Sequence, residues 1–433
     1  MEKKKTLYIR TFGCQMNVHD SEKMLGLLHE EGYTATDNPL KADIIIFNTC
    51  SIRQKAEQKF YSDLGRIRSF KKKKPLLKIA VAGCIAQQEG LNILRKAAHV
   101  DLVFGPQNIH LLKSFIKNGT PRVATGENPD IALYDLPVKR EKGVRAWVTI
   151  MYGCNNFCSY CVVPYTRGKE RSRPSRNIMK EIRDLALQGY KEITVLGQNV
   201  NSYKSDLDFP GLLREINRIE GIERVRFVTS HPKDLTDSLI AAISDLSKVC
   251  EHIHLPLQSG SDKVLKLMNR GYSFEEYLKK VKNLRKRVPG IAITSDIIAG
   301  FPNEEAEDHE DTVRALRAIE YDGIFAFKFS PRPGTKAAQM GDDVTDEVKT
   351  DRLLEILEIQ DGITGRKNKN LVGSVQEVLT EGRSEGRADQ YTGRTRTNKI
   401  VTFDRVDIPP GVLILVEIVG GRRHSLDGNP ILS

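Results

Sequence analysis

The stretch "GCNNFCSYC", residues 153–161, carries three of the chain's seven cysteines: Cys154, Cys158 and Cys161. The gaps are three residues, then two. A structural zinc site takes four protein ligands, and so does an ordinary iron–sulfur cluster. Three thiolates on a four-iron cluster leave one iron open, and an open position is what a catalytic metal centre needs. A zinc ion completed by a distant His or Cys is the structural alternative. The surroundings favour catalysis. The stretch directly follows "RAWVTIMY" (145–152), which reads as the first strand of a series of strand–helix units. The cysteines then occupy the loop beyond a strand's carboxyl end, where barrels of such units build their sites.

Five further strand candidates follow: "KEITVLG", "RVRFVTS", "EHIHLPL", "IAITSDIIAGF" and "GIFAFKFS". Helical patterns separate them. Ile178, Ile182 and Leu185 share one face of the first helix, and Leu212, Ile216 and Ile219 one face of the next. Six units in a row predict a partial (β/α)6 barrel over residues 144–370. Upstream, "TLYIRTFGC", "ADIIIFNTC", "LKIAVAGC" and "VDLVFGPQN" alternate with helices, which predicts a parallel α/β sheet domain over residues 5–120. Asp20 or Ser21 reads as the cap of its first helix. Residues 121–143 lack periodicity, are rich in Pro and Gly, and read as a connector. Short strand-like pieces broken by Gly and Pro predict a small antiparallel β-barrel over residues 371–433. The fold class is therefore α/β with an appended β-barrel.

Composition narrows the function. With 433 residues the chain exceeds one hydrophobic core, and 39% hydrophobic with 28% charged residues suits a globular protein. No apolar run approaches a membrane span, and the start lacks a secretory h-region, so a cytoplasmic location without membrane association is expected. An odd cysteine count in that setting argues against a disulfide framework and toward metal binding or catalysis. The net charge is +11, and Lys and Arg are bunched. The first arginine of the cluster "TRGKERSRPSR", Arg167, comes six residues after Cys161. A basic stretch beside a metal loop suggests nucleic acid, although most charge runs are solvated surface. The last 64 residues hold eight Lys/Arg and eight Asp/Glu, so positive charge there is local, in "GRTRTNK" and "GRR".

Cys14, Cys50 and Cys84 stand alone in their stretches, and a free cysteine is often mere packing. Yet each directly follows a predicted strand and precedes a helix. In an open parallel sheet such strand ends share one crevice. A second three-cysteine metal site follows, again with one open position. Cys250 lacks such partners and reads as packing.

The Cys-x3-Cys-x2-Cys loop on a partial barrel resembles the radical S-adenosylmethionine (SAM) superfamily. Two such trios, with "TFGCQMNVHDSEK", "NTCSIR", "GCIAQ", "LGQNVNSY", "HLPLQSGSDKVLKLMNRGY" and "FSPRPGTKAA", resemble the methylthiotransferases, in their MiaB-type tRNA branch. The resemblance spans essentially the whole chain, and its last module resembles the RNA-binding TRAM domain. "FPNEEAEDHE" departs from the family's usual Gly after "GFP" and from its usual aromatic at His309. The resemblance implies two 4Fe-4S clusters, a radical-generating one on Cys154, Cys158 and Cys161 and an auxiliary one on Cys14, Cys50 and Cys84. It implies SAM as methyl donor and source of a 5′-deoxyadenosyl radical, and a methylthio group placed on carbon 2 of isopentenyl-modified adenosine beside the tRNA anticodon. That C–H bond has no acidic proton, so no His–carboxylate pair is needed. A structural role is expected for His231, His252 and His254. Partners implied are a tRNA anticodon loop, a one-electron reductant such as a flavodoxin or ferredoxin, and a sulfur source. Within this reading, Gln198, Asn199, Ser230, Gln258 and Ser330 at strand ends are candidates for holding SAM. Arg167, Lys169, Arg171 and Arg173 are candidates for gripping RNA phosphates in a single-stranded loop. The family's relatives on threonylcarbamoyl-adenosine or a ribosomal-protein aspartate are alternatives, as is a non-enzymatic cluster carrier.

Overall fold

A computed structural model of the chain describes residues 5–51, 54–384, 390–404 and 408–431. Ile52 and Arg53 of "NTCSIR" lie outside the described residues. Contacts divide the chain into two units. The first gathers Met1–Lys142, Met151–Phe157 and Cys161–Pro174; the second gathers Gly143–Ile150, Cys158–Tyr160 and Ser175–Ser433.

The first unit is built on six parallel strands: β1 (Lys5–Thr11), β2 (Tyr33–Ala35), β3 (Ile44–Thr49), β4 (Lys78–Gly83), β5 (Leu102–Phe104) and β6 (Val123–Ala124), in the order β2-β1-β3-β4-β5-β6. The central strand β3 is buried along its whole length. Ile44 and Ile46 face one core with Met24, Leu27 and Leu28, while Ile45 and Phe47 face another with Phe60 and Leu64. Helices α1 (Gln15–Glu30) and α2 (Gln54–Lys73) supply those two layers. A strand covered on both sides must be apolar at every position, which is why "IIIF" is a run and not an alternation. The connector is anchored: its Ile131 and Ala132 pack with Tyr152 in a small buried cluster.

Helix α1 differs from the expectation. It begins at Gln15, with Cys14 at the N-cap, so Asp20 and Ser21 lie inside it and are buried. They look like cap residues because they are short and polar. Their polarity serves tertiary contacts: the Ser21 hydroxyl accepts from Asn48 Nδ2 at 2.9 Å, and Asp20 pairs with Arg167.

A short antiparallel pair, β7-following strand β8 (Met151–Tyr152) and β9 (Arg171–Ser172), closes the cysteine loop in the first unit; β7 itself (Arg145–Thr149) opens the second. There the parallel strands β7, β10 (Glu192–Leu196), β11 (Arg224–Phe227), β12 (His252–His254), β13 (Ala292–Ala299) and β14 (Gly323–Lys328) run in sequence order. β11-β10-β7 and β12-β13-β14 are ladders, and a parallel bridge from Val225 to Val249 joins them. One helix or more follows each strand, and Ile178, Ile182, Leu185, Leu212, Ile216 and Ile219 are buried as their spacing predicted. This is the expected six-strand partial barrel.

The chain's end forms a closed barrel of β15 (Val375–Arg383), β16 (Gln390–Thr395), β17 (Ile400–Asp404), β18 (Leu413–Gly421) and β19 (Leu426–Ile431), antiparallel as expected except where β17 meets β19 in parallel. Val378, Val401, Phe403, Val416 and Leu426 fill it. Two arginines of β11 fasten it to the amino ends of the parallel strands. Arg224, fully buried, donates to the carbonyls of Arg394 and Glu377 at 2.6 and 3.0 Å. Arg226 donates to Glu192 at 2.9 Å and to the carbonyls of Thr395 and Arg396, both at 2.8 Å. From the other side, Arg396 reaches Glu251 at 2.7 Å. The basic stretches of this module therefore serve internal pairs: Arg394 with Glu381, Arg422 with Asp427, and Arg423 with Asp361.

Candidate active site at the strand ends

In the first unit, β1, β3 and β4 are neighbours, and Thr49 stands opposite Gly83 in the parallel register. Cys50 and Cys84 are the next residues on their strands, and Cys14 follows the turn after β1. The structure brings these strand ends together. Gly13, at φ +111°, is so close to Cys50 that an added Cβ would lie 2.3 Å from the Cys50 Cβ. The Cys14 Sγ lies 3.3 Å from Asn17 Oδ1, and Asn17 in turn donates to the Thr49 carbonyl at 2.9 Å. Cys84 heads the helix α3 (Cys84–Glu89) and is buried. Burial pushes its thiol pKa up, against the pull of the Arg167 guanidinium, and the nearby Cys14 thiolate adds to the rise.

Arg167 was expected on the surface, gripping phosphate. It is instead buried, 2.9 Å from the equally buried Asp20, and it reaches toward Cys84. Its charge compensates Asp20 and favours a thiolate at Cys84, so it is not available to RNA. Arg173 is likewise buried, facing Asp135 at 3.7 Å. Of the basic stretch, Lys169 is exposed and Arg171, on β9, is half-buried. Two aromatic rings join them at the surface of the first unit: Phe157 and Tyr165, 6.3 Å apart and edge to face.

The cysteine loop is held by its own backbone. The Cys154 amide donates to the Gly168 carbonyl at 3.2 Å, and Gly153, at φ +69°, sits where a Cβ would strike the Lys169 carbonyl at 2.1 Å. Cys154 and Cys158 are buried and Cys161 half-buried. In the second unit, Cys158 meets a residue that the sequence reading did not single out. Buried Arg270 donates to the Pro256 carbonyl at 2.7 Å, to Tyr272 Oη at 2.9 Å, to Tyr160 Oη at 3.3 Å and to Cys158 Sγ at 3.4 Å. A guanidinium at that distance stabilises a thiolate. Its signal was present: an arginine between Asn269 and Gly271, both in left-handed conformations, in "LMNRGY".

The carboxyl ends of β10 and β11 carry buried polar atoms with no hydrogen-bond partner: both side-chain amide atoms of Gln198, Oδ1 of Asn199 and Oγ of Ser230. Buried polar groups are normally satisfied, so this row of orphans leaves donors and acceptors that a polar ligand could take up. Asn199 is aimed by its amide, which donates to Asp234 Oδ2 at 2.7 Å. Thr229 and Gln258 adopt φ +69° and +78°, rare for such side chains, and both lie on this edge. Gln258 is buried and bonded through its backbone to Asp296 and Ile298; Ser330 is half-buried just beyond β14. The three barrel histidines act locally. His231 Nδ1 accepts from the Lys233 amide at 3.2 Å, and His254 lies 3.0 Å from Thr294 Oγ1. Burial pushes the His252 pKa down to about 3 and that of His231 to about 2, so both rings are neutral. His309, at the departure from the family pattern, pairs with Glu355 at 2.8 Å. Cys250 is buried, and burial raises its pKa.

Among the described residues, no three His, Cys, Asp or Glu side chains converge as they would on one metal ion. Thiolates around a four-iron cluster stand farther apart than around a lone ion, because the irons and bridging sulfides lie between them. The donor set, thiols at three strand ends and thiols in one short loop, fits clusters. No helix among the described residues is long and apolar enough to cross a membrane.

Comparison with known proteins agrees with this fold. The Radical SAM superfamily matches residues 148–316, and an uncharacterized protein family, UPF0004, matches residues 6–105. A tRNA-2-methylthio-N(6)-dimethylallyladenosine synthase of Thermodesulfovibrio yellowstonii is 57% identical over 99% of both chains. The enzyme of the same name from Carboxydothermus hydrogenoformans is 46% identical over 98% of this chain and 99% of its own. Among solved structures, the radical SAM methyltransferase TsrM of Kitasatospora setae, with tryptophan substrate and a SAM analogue bound, has a TM-score of 0.58 at 15% identity, covering 75% of this chain and 73% of its own. That likeness concerns the fold. The full-length identity to named relatives is of another order, and the chain belongs to the tRNA-2-methylthio-N(6)-dimethylallyladenosine synthase family of radical SAM enzymes.

Proposed function

We infer that this chain replaces the hydrogen on carbon 2 of an isopentenyl-modified adenosine, next to the tRNA anticodon, with a methylthio group. The observation that carries the reading is identity of 57% along 99% of a relative named for that reaction. Cys154, Cys158 and Cys161 would hold one four-iron cluster, and Cys14, Cys50 and Cys84 a second. When bound, these clusters and SAM supply the one-electron chemistry, the methyl group and the site of sulfur transfer.

The chain's own residues prepare the site. Arg270 fixes Cys158 and orients Tyr160, and it keeps a positive charge beside the thiolate. Gln198, Asn199 and Ser230 offer buried donors and acceptors to the polar ends of SAM, with Gln258 and Ser330 on the same edge. Burial of these groups excludes water from a reactive centre. Asp20 and Arg167 hold a compensated charge beside Cys84. Lys169 and Arg171 remain the candidates for RNA phosphates, and the exposed rings of Phe157 and Tyr165 beside them can stack on unpaired bases. An external one-electron reductant and a sulfur source complete the partners, and a tRNA substrate fits a cytoplasmic location.

The test separates the two trios. Reconstituted anaerobically, the full chain should carry about 8 irons, and either triple Cys→Ala variant about 4. The Cys154/Cys158/Cys161 variant should cleave no SAM. The Cys14/Cys50/Cys84 variant should still cleave it while making no methylthio product. Retention of all iron in the second variant would show that those strand ends hold no cluster. Mass spectrometry of tRNA nucleosides from a deletion strain tests the substrate: a strain that keeps its methylthio-isopentenyl-adenosine contradicts the assignment.

A further inference from the structure

A groove of about 770 Å3 opens in the second unit between the turn after β11 and the helix Phe274–Arg287. Five lysines line it: Lys233, Lys279, Lys280, Lys282 and Lys286. All but Lys280 are exposed, and none forms an ion pair with a carboxylate among the described residues. Other lysines of the same unit do have carboxylate partners, as Lys263 has Asp308 at 3.0 Å and Lys328 has Asp346 at 2.7 Å. Only Lys280 is tied down, by the carbonyls of Pro232 and Lys233 at 2.6 and 3.1 Å. Five lysines against the two carboxylates of the lining, Asp237 and Glu276, leave the concavity with an excess of three positive charges, which raises the local concentration of an oppositely charged partner.

The groove leads inward. Tyr272 is part of its lining, and its hydroxyl accepts from Arg270 Nε at 2.9 Å. The same guanidinium lies 3.4 Å from Cys158 Sγ. The lysine-lined surface is thus two side chains away from a cysteine assigned to the radical-generating cluster. We propose that this groove is the docking site of a small acidic one-electron carrier protein, which delivers its electron toward Cys158 through the Tyr272–Arg270 contact. The proposal rests on the reading above that Cys158 holds a cluster. One electron leaves the carrier, which is oxidised, and the centre at Cys158 is reduced by one; no atom or proton has to move. A protein partner suits the groove better than an RNA backbone. Asp237 and Glu276 share the lining, and a run of phosphodiesters would be repelled by both, whereas a protein face can answer each with a cation.

The test uses the reconstituted full chain and its Lys279→Glu/Lys282→Glu/Lys286→Glu variant, with a bacterial flavodoxin as probe. Flavin fluorescence should report an affinity weaker by about tenfold or more at low salt, with a flattened salt dependence. Flavodoxin-driven cleavage of SAM should fall by a similar factor, while dithionite-driven cleavage and the melting temperature stay at the parental values. The corresponding Lys→Gln variant should give an intermediate loss, which separates charge from misfolding. Unchanged flavodoxin affinity and salt slope would overturn the proposal. So would a tenfold loss of tRNA affinity with flavodoxin binding intact, since the groove would then be an RNA site. A parental enzyme that dithionite cannot drive would refute the functional reading instead, and the groove would still be judged by flavodoxin affinity.

Discussion

Replacing Arg226 with Met tests how the C-terminal barrel is fastened. Arg226 and Glu192 are both almost wholly buried, 5% and 1% exposed, and stand 2.9 Å apart. Arg226 also satisfies the carbonyls of Thr395 and Arg396. Methionine keeps most of the volume but leaves the Glu192 carboxylate buried without its cation, and breaking such a pair costs about 3–5 kcal/mol. The two carbonyls lose their donors as well, so about 4 kcal/mol is a reasonable central value. Removing both charges, in Arg226→Met/Glu192→Gln, leaves only neutral groups, and the cost should fall to about 1–2 kcal/mol. The chain's single tryptophan, Trp147, lies on β7, opposite Thr194 of β10, and reports unfolding of this unit. With a urea slope of about 3 kcal/mol per M, the single variant should move the midpoint down by about 1.3 M and the double variant by about 0.5 M. A single variant within about 0.3 M of the parent would refute the argument. So would a double variant at least as unstable as the single, because the damage would then be lost contact and not uncompensated charge.

Three other outcomes follow from the geometry. Gly13→Ala puts a Cβ onto Cys50 at a left-handed φ, so iron should drop from about 8 to about 4 per chain while SAM cleavage persists; full iron would show that this turn has room. Lys169→Ala/Arg171→Ala should reduce the slope of log Kd against log salt for tRNA by about 1 per lost phosphate contact, and an unchanged slope would remove both from the RNA surface. His252 is held neutral in the folded chain, with a pKa of about 3 against 6.5 when unfolded. Between those values the unfolded state binds the extra proton, so stability falls as pH falls, by about 1.4 kcal/mol per unit from this residue. Urea midpoints from pH 6.5 to 4.5 should therefore decline more steeply for the parent than for His252→Asn, and parallel declines would contradict the burial argument.

The sequence was most readable where one physical rule governs many residues. Strands that alternate with helices gave the parallel sheet and the six units, because the unbroken apolar run Ile44–Phe47 and the helical spacing of Ile178, Ile182 and Leu185 are each set by burial. The cysteine trio at strand ends was legible for a similar reason: topology alone assigns equivalent positions. Charge was harder to read. "TRGKERSRPSR" mixes two buried arginines with an exposed lysine, and nothing local distinguishes Arg167 from Lys169. What decides is a partner 147 positions away in Asp20, which itself looked like a helix cap. Arg270 was missed for the same reason, since three of its four acceptors, on Pro256, Tyr160 and Cys158, come from other segments. "RVRF" read correctly as a strand, yet its arginines had no meaning until the barrel that accepts their hydrogen bonds was in place.

That fastening also bears on the polar edge. The small barrel grips β11 at Arg224, while Ser230 belongs to the opposite edge, where the polar orphans gather. β11 itself runs only from Arg224 to Phe227, three extended steps of about 3.3 Å or roughly 10 Å, and the chain turns at Thr229, φ +69°, before it reaches Ser230. One short strand therefore carries the anchor of the small barrel at its start and leads to the polar edge at its end, so a shift of the first carries the second with it.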